Sequence, residues 1–319
     1  EQRGATEFWW GPENHPSRAD YIVAVHNPDF LDGYVGQNFI LAPNGIDPYL
    51  GDDHAWGARF SAVACFSQCH VDLLTTARPT IKPEICRVTG LGVTLKEYDT
   101  RIHPYLGHVG LPGRLLYAND PTRGLHHLLP IFDLIREECP HAELRIAYDF
   151  DKQFESWRWK AHAMSERLWE CRERIAQGNG IVSLGYLSHE ELVAEQLACD
   201  IHIYPSDPMN LGSQIHGLTQ LEMAAAGVPL VLSEIEAFPE LFGDCASFQP
   251  IPGTLARSGE SDLARIGPED WAAEAVAIMK DRDRWRAMSD AGRKVAADHT
   301  WDAVLDRWEA MLKELPLDG

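Results

Sequence analysis

Apolar residues in this chain follow two spacings. Short apolar runs alternate with longer stretches in which apolar residues recur every three or four positions. The first spacing suits strands and the second suits helices, so the alternation predicts an α/β fold. Strands are expected at residues 21–26, 38–42, 60–65 and 84–89, with a helix over 67–77. A Pro- and Gly-rich stretch, 102–113, reads as a linker. Beyond it the pattern is more regular. Strands are expected at 114–118, 144–148, 181–184, 200–204 and 228–232, with helices over 125–138, 157–176 and 217–226. Another helix opens at Ser188, whose spacing to Glu191 is that of a capping box, and runs to about Ala198. From Pro268 the chain reads as helical to about Asp298, and a last helix covers 302–315. This is the order of a doubly wound domain, which binds ligands at the carboxyl ends of its strands.

Composition narrows the class. The 319 residues are 45% hydrophobic and 9% aromatic, enough for two cored domains and too much for a disordered chain. Asp and Glu number 48 against 28 Lys and Arg, a formal charge of −20, which excludes wrapping of nucleic acid. No apolar run approaches the ~18 residues of a membrane-spanning helix, and no basic-then-apolar start resembles a signal peptide. The seven cysteines are scattered, as expected of reduced thiols in a cytoplasmic protein. No initiating Met is present, so the chain also reads as a fragment or a processed product.

Three segments carry candidate chemistry. In the first, Tyr117-Ala-Asn-Asp-Pro-Thr-Arg123-Gly124-Leu125 leaves a strand and opens a helix, where Arg123 suits a bidentate contact with a diphosphate or simply an exposed turn. In the second, Ser183-Leu-Gly185-Tyr186-Leu187-Ser188 takes a strand through a Gly turn whose backbone could read the edge of a base. In the third, Gln214-Ile-His216-Gly217-Leu218-Thr219-Gln-Leu-Glu222 is followed by Met-Ala-Ala-Ala-Gly227-Val-Pro-Leu-Val. A helix starting near Gly217 offers unpaired N–H groups and a positive dipole end to a phosphate. Thr219 adds a hydroxyl, and Glu222, one turn on, could accept two ribose hydroxyls. A glycine loop, a capped helix and a surface Glu would look the same.

Taken together, the order and spacing of these segments resemble the nucleotide-sugar-binding half of a GT-B glycosyltransferase of the family 4 type (glycosyltransferase group 1). Tyr-Ala-x-x-Pro-x-Arg-Gly-Leu is similar to that family's phosphate motif. Leu-Gly-Tyr-Leu-Ser-His-Glu-Glu-Leu is similar to its base-binding turn. The segment from Gln214 to Glu222 and the Ala-Ala-Gly-Val-Pro-Leu-Val after it resemble its Glu-x7-Glu signature. The resemblance covers residues 114–241 and the terminal Trp301 helix. It implies two Rossmann-like domains: a short or truncated, incomplete amino-terminal acceptor-side domain over 1–108 and a nucleotide-sugar domain over 109–298, with a terminal helix, 299–319, returning to the first.

The resemblance also implies roles. Arg123 would hold the donor diphosphate, with Asn119 standing where many members carry a second phosphate-binding Arg. Backbone groups of His216, Gly217 and Leu218, with the Thr219 hydroxyl, would hold the distal phosphate. Glu222 would hold the ribose, and Gly185, Tyr186 and Leu187 would frame the base. Gln214 and Arg123 would be the catalytic pair, Gln214 touching the donor sugar. The implied activity is a retaining hexosyl transfer from a nucleotide-diphosphate sugar to a glycan, lipid or small-molecule acceptor, with no metal or other cofactor. Departures from the pattern leave a second reading, a non-catalytic relative that binds nucleotide sugars or assembles with others. Gln214 is uncharged where a carboxylate is usual, His216 replaces a Phe, and Ala42 stands where many members carry a His.

Other features carry less. Cys65, Cys69 and His70 lack a matching second pair for a metal site. His126, His127 and His202 read as surface or packed residues. Trp9, Trp10, Trp157 and Trp159 read as packing residues more than as sugar platforms. Residues 149–151 read as a solvated acidic loop.

Overall fold

The computed structural model describes residues 18–26, 35–46, 59–99, 113–157, 162–206, 214–250 and 267–317. Trp9, Trp10, Trp159 and the expected linker, apart from Gly113, lie outside the described residues. The chain divides into two compact units, residues 1–89 with 305–319, and residues 90–304.

The first unit is a parallel sheet in chain order: β1 (Arg18–Val25), β2 (Val35–Ala42), β3 (Ala62–Cys65) and β4 (Cys86–Val88). Side chains alternate across a strand, so each strand supplies both faces. Leu41, Val63 and Cys65 pack with Val71 and Leu74 of α1 (Gln68–Ala77). Their neighbours Ile40, Ala62 and Ala64 pack with Met311, on the far half of the terminal helix α10 (Trp301–Glu314). Polar bonds fasten the same segment: Asn38 Nδ2 donates to Pro316 O at 2.8 Å, and Arg307 Nε to Thr89 O at 2.8 Å. Ser67 caps α1 by accepting from His70 N at 3.0 Å.

The second unit alternates strand and helix: β5 (Arg114–Tyr117), α2 (Leu125–Glu138), β6 (Glu143–Ile146), α3 (Phe150–Trp157), α4 (His162–Gln177), β7 (Ile181–Ser183), α5 (His189–Leu197), β8 (His202–Tyr204), α6 (Leu218–Ala226), β9 (Leu230–Ser233), α7 (Phe238–Phe242), β10 (Ala246–Gln249), α8 (Pro268–Lys280) and α9 (Arg282–Asp298). Strands β5-β6-β7 and β8-β9-β10 form two parallel three-stranded ladders. A parallel bridge between Leu115 and Ile201, with Asp200 N donating to Arg114 O at 2.9 Å, joins them edge to edge. The resulting order, β7-β6-β5-β8-β9-β10, reverses direction between β5 and β8. That reversal is the topological switch point of a doubly wound sheet, where the crossover helices diverge and leave a crevice. Strands β5 and β9 are mostly apolar because helices cover both faces of the sheet. Leu115, Leu116, Tyr117 and Leu230, Val231 and Leu232 are all buried.

Three expectations are corrected. The helix expected from 268 to 298 is two helices, because Asp281 ends α8 and caps α9, its Oδ1 accepting from Asp283 N at 3.1 Å and Arg284 N at 3.0 Å. The expected acidic loop at 149–151 is a helix start, where Asp149 Oδ1 accepts from Lys152 N at 3.1 Å. The helix expected over 157–176 falls on the last residue of α3 and on α4, with 158–161 outside the described residues.

Candidate functional site at the sheet switch point

At the switch point the carboxyl ends of β5 and β8 run into two loops that touch. Gly124 caps α2 at φ +102°, a region that L side chains avoid, and a Cβ there would lie 2.4 Å from the carbonyl oxygen of Pro205. Glycine is therefore what lets the loop after β5 close onto the loop after β8. The first loop is braced locally. Asp120 Oδ1 accepts from Thr122 N at 2.9 Å and Thr122 Oγ1 at 2.7 Å, and Tyr117 donates its hydroxyl to Asp120 O at 2.8 Å. This brace places Arg123, which is exposed, immediately ahead of α2. Burial pushes the phenols of Tyr117 and Tyr204 up, and the Arg123 charge acts on both in the opposite sense, so its guanidinium is felt at the ends of both strands. Asn119, just before the brace, holds a buried Nδ2 with no hydrogen bond among the described residues.

Gly217 caps α6 in the same way, at φ +106°, with a Cβ position 2.8 Å from Phe238 Cε1. Neither α2 nor α6 has a side-chain cap or an acidic residue in its first turn. By contrast α5 carries the full Ser188–Glu191 capping box, and Asp281 caps α9. The two helix starts at the switch point thus lack both a side-chain cap and a compensating carboxylate at their positive ends, a condition that favours an anion. Thr219 Oγ1, on that first turn, makes no hydrogen bond among the described residues, and Leu218 is 42% exposed.

Gln214 is buried. Its Nε2 donates to Ser206 Oγ at 2.9 Å and Tyr204 Oη at 3.3 Å, and its backbone N donates to the carboxylate of Glu236, a non-glycine residue at φ +44°. His216 is also buried, and its Nε2 accepts from Leu91 N at 3.2 Å, which puts the proton of the neutral ring on Nδ1. Beneath α6 lies a fully buried His202. Its Nδ1 donates to Leu116 O at 3.3 Å and its Nε2 accepts from Gln220 Nε2 at 3.4 Å. Burial lowers its pKa to about 4.

Glu222 stands one turn into α6, on the same face as Leu218. Its Oε2 accepts from Nε2 of the buried Gln196 at 2.8 Å, and Gln196 Oε1 accepts from Tyr98 Oη at 3.0 Å. Burial pushes the Glu222 carboxyl up, and the Gln196 hydrogen bond opposes that shift. The turn after β7 presents Gly185 at φ +68° with open space around it, Tyr186 at 87% exposure, and a half-buried Leu187.

The structure therefore brings Arg123, Gly217, Leu218 and Thr219 to the two loops at the switch point. Glu222 is tied to α5 rather than left on the surface. Ser206, Glu236, Gln196 and Tyr98 were not singled out from the sequence. Ser206 follows a strand-ending Tyr-Pro, which was the available signal for it; the other three are brought in by tertiary packing alone. Among the described residues no group of three or more His, Cys, Asp or Glu is placed to hold a metal ion, and no helix is long and apolar enough to cross a membrane.

No family model matches the chain. It is 26% identical over 194 residues to O-antigen chain mannosyltransferase B of Escherichia coli, covering 60% of this chain and 43% of that protein. It is 26% identical over 141 residues to D-inositol 3-phosphate glycosyltransferase of Segniliparus rotundus, covering 44% of this chain and 28% of that one. The chain thus spans less than half the length of either relative. Among solved structures it resembles Anabaena HepE in complex with UDP and glucose, with TM-score 0.60 and 14% identity over 87% of this chain and 71% of that one. It also resembles the pneumococcal O-GlcNAc transferase GtfA in complex with UDP and GlcNAc, with TM-score 0.62 and 13% identity over 88% and 53%. Sucrose-phosphate synthase from Thermosynechococcus elongatus gives TM-score 0.59 and 17% identity over 87% and 68%. With its parallel sheets and doubly wound second unit, the chain has the fold of the GT-B glycosyltransferases.

Proposed function

We propose that this chain belongs to a glycosyltransferase that moves a hexosyl group from a nucleoside-diphosphate sugar to a glycan, lipid or small-molecule acceptor. The observation that carries the reading is the pair of glycine-capped, otherwise uncapped helix starts at the sheet's switch point, with Arg123 at one and Glu222 one turn into the other. That combination suits a ligand with a diphosphate and a hydroxylated ring. UDP-sugars are the first donors to try, because HepE and GtfA are solved with UDP.

In this reading the bond from the anomeric carbon to the distal phosphate oxygen breaks, and the diphosphate leaves with the electron pair. The Arg123 guanidinium and the first N–H groups of α6 stabilise the charge that develops there. Thr219 Oγ1 and Asn119 Nδ2 add donors. Glu222 accepts from the ribose, and Gly185, Tyr186 and Leu187 frame the base. Gln214 offers an amide to a sugar hydroxyl, but it cannot balance positive charge at the anomeric carbon as a carboxylate would. The acceptor hydroxyl gives its proton to a phosphate oxygen of the departing diphosphate as its own oxygen bonds to that carbon. Retention of configuration, a cytoplasmic site of action, the absence of a cofactor and membership of family 4 complete the proposal, and these rest on the motif resemblance.

Gln214 favours one competing reading. Its Nε2 is already engaged by Ser206 and Tyr204, as in a residue that only supports a loop. A non-catalytic relative would bind a nucleotide sugar and turn nothing over. Incubation with UDP-, GDP- and ADP-hexoses, with and without a mixed acceptor pool, separates the two. Release of the matching nucleoside diphosphate supports a transferase. Binding without release over hours supports the relative.

A further inference from the structure

Gln196 is fully buried at the last turn of α5, so both ends of its amide need partners. An ionised carboxylate can only accept, which requires the Gln196 nitrogen to face Glu222. The Gln196 oxygen is then left for Tyr98, whose hydroxyl donates. The chain from Tyr98 Oη through Gln196 to Glu222 Oε2 therefore has one direction, at 3.0 and 2.8 Å. It holds one carboxylate oxygen and leaves the other, Oε1, without a hydrogen bond among the described residues. Glu222 shares a helix face with Leu218, on the open first turn of α6. Tyr98 comes from the segment ahead of β5, 98 positions away from Gln196 in the chain.

We propose that Gln196 and Tyr98 are positioning residues that aim the free oxygen of Glu222 at a ribose hydroxyl, so that the segment ahead of β5 takes part in discriminating ribonucleotides. This rests on the reading of the α6 start as a nucleoside-diphosphate site. The charged groups around Glu222 fit a carboxylate that must stay ionised and directed. His189, the first residue of α5, pairs with Glu97 through Nε2 and Oε2 at 2.9 Å, and the two act on the Glu222 carboxyl in opposite senses, His189 favouring the ionised form. Without the Gln196 donor, burial and the Glu97 charge would favour the protonated form of Glu222 against His189, and the carboxyl would lose the bond that fixes its rotation.

A structural role and a positioning role differ in what they do to ligands lacking the hydroxyls. The test is calorimetric binding of UDP and of 2′,3′-dideoxy-UDP to the wild type, Gln196→Leu and Tyr98→Phe, with GDP and ADP and their dideoxy forms run alongside. The wild type should prefer the ribonucleotide. Gln196→Leu should weaken the ribonucleotide about tenfold and leave the dideoxy form unchanged, removing the preference. Tyr98→Phe, which keeps the ring packing, should act in the same direction and serves if Gln196→Leu does not fold. A preference that survives in the folded variants, or an equal loss for both ligands, overturns the positioning role and leaves the site standing. Failure of the wild type to bind any of the nucleotides overturns the site and the inference together.

Discussion

Gly124 and Pro205 meet so closely that a Cβ on the first would lie 2.4 Å from the carbonyl oxygen of the second. The two residues stand on opposite sides of the sheet's switch point, one after β5 and one after β8. Their approach brings the Arg123 turn against the strand end that leads towards α6, and with it the two open helix starts.

Gly124→Ala should therefore destabilise the second unit by about 3 kcal/mol or more, combining a left-handed φ with a backbone clash. Gly178→Ala is the control, with φ +75° and nothing within 4 Å of its Cβ position, and should cost about 1–2 kcal/mol. Urea unfolding of both variants checks the difference.

Asp281→Ala removes the acceptor for Asp283 N and Arg284 N at the junction of α8 and α9. A loss of about 1 kcal/mol in the same unfolding assay is expected, the ordinary cost of an N-cap.

Acid should weaken both units through buried neutral histidines. His70 accepts from Phe66 N at Nδ1 and donates to Gly45 O from Nε2, and His202 is held equally on both nitrogens. Burial lowers each pKa from 6.5 to about 4. Below about pH 6.5 the unfolded chain takes up protons that the folded chain refuses. Stability is therefore full above that pH and falls as the pH drops towards 4, by up to about 3 kcal/mol per histidine. His202→Leu should flatten this dependence in denaturant titrations between about pH 7 and pH 5. An unchanged slope would contradict the assignment.

Nucleotide binding should carry its own acid limb. Burial raises the Glu222 carboxyl above its ordinary value, so it takes up a proton at a higher pH than an exposed Glu. Only the ionised form keeps both oxygens as acceptors, one for Gln196 and one for the ribose, so affinity should fall as the pH drops through that raised value. In Glu222→Gln the limb should be absent and the affinity lower at every pH.

Much of this site was legible locally. The residues that open α2 and α6, from Tyr117 to Leu125 and from Gln214 to Glu222, are contiguous, and glycine at a helix start has a meaning that neighbours in the chain suffice to read. The helix Leu125–Glu138 falls where its apolar period places it. The orienting residues were not legible, because Tyr98, Gln196 and Glu222 meet only after α5 and α6 pack on one sheet. The break at Asp281 was hidden because the apolar period continues across it, and an Asp suits either a helix surface or a cap. The short α7 and β10 were missed, being too brief to show a period.

The most direct test of the account is calorimetric titration of the wild type with UDP, GDP and ADP, repeated with Arg123→Ala. The account predicts that one of the three binds, and that losing the guanidinium weakens it about tenfold to a hundredfold, the range of a charge-assisted contact to phosphate. Absence of binding to all three, or binding that Arg123→Ala leaves untouched, would contradict the assignment of the switch point as a nucleotide-sugar site.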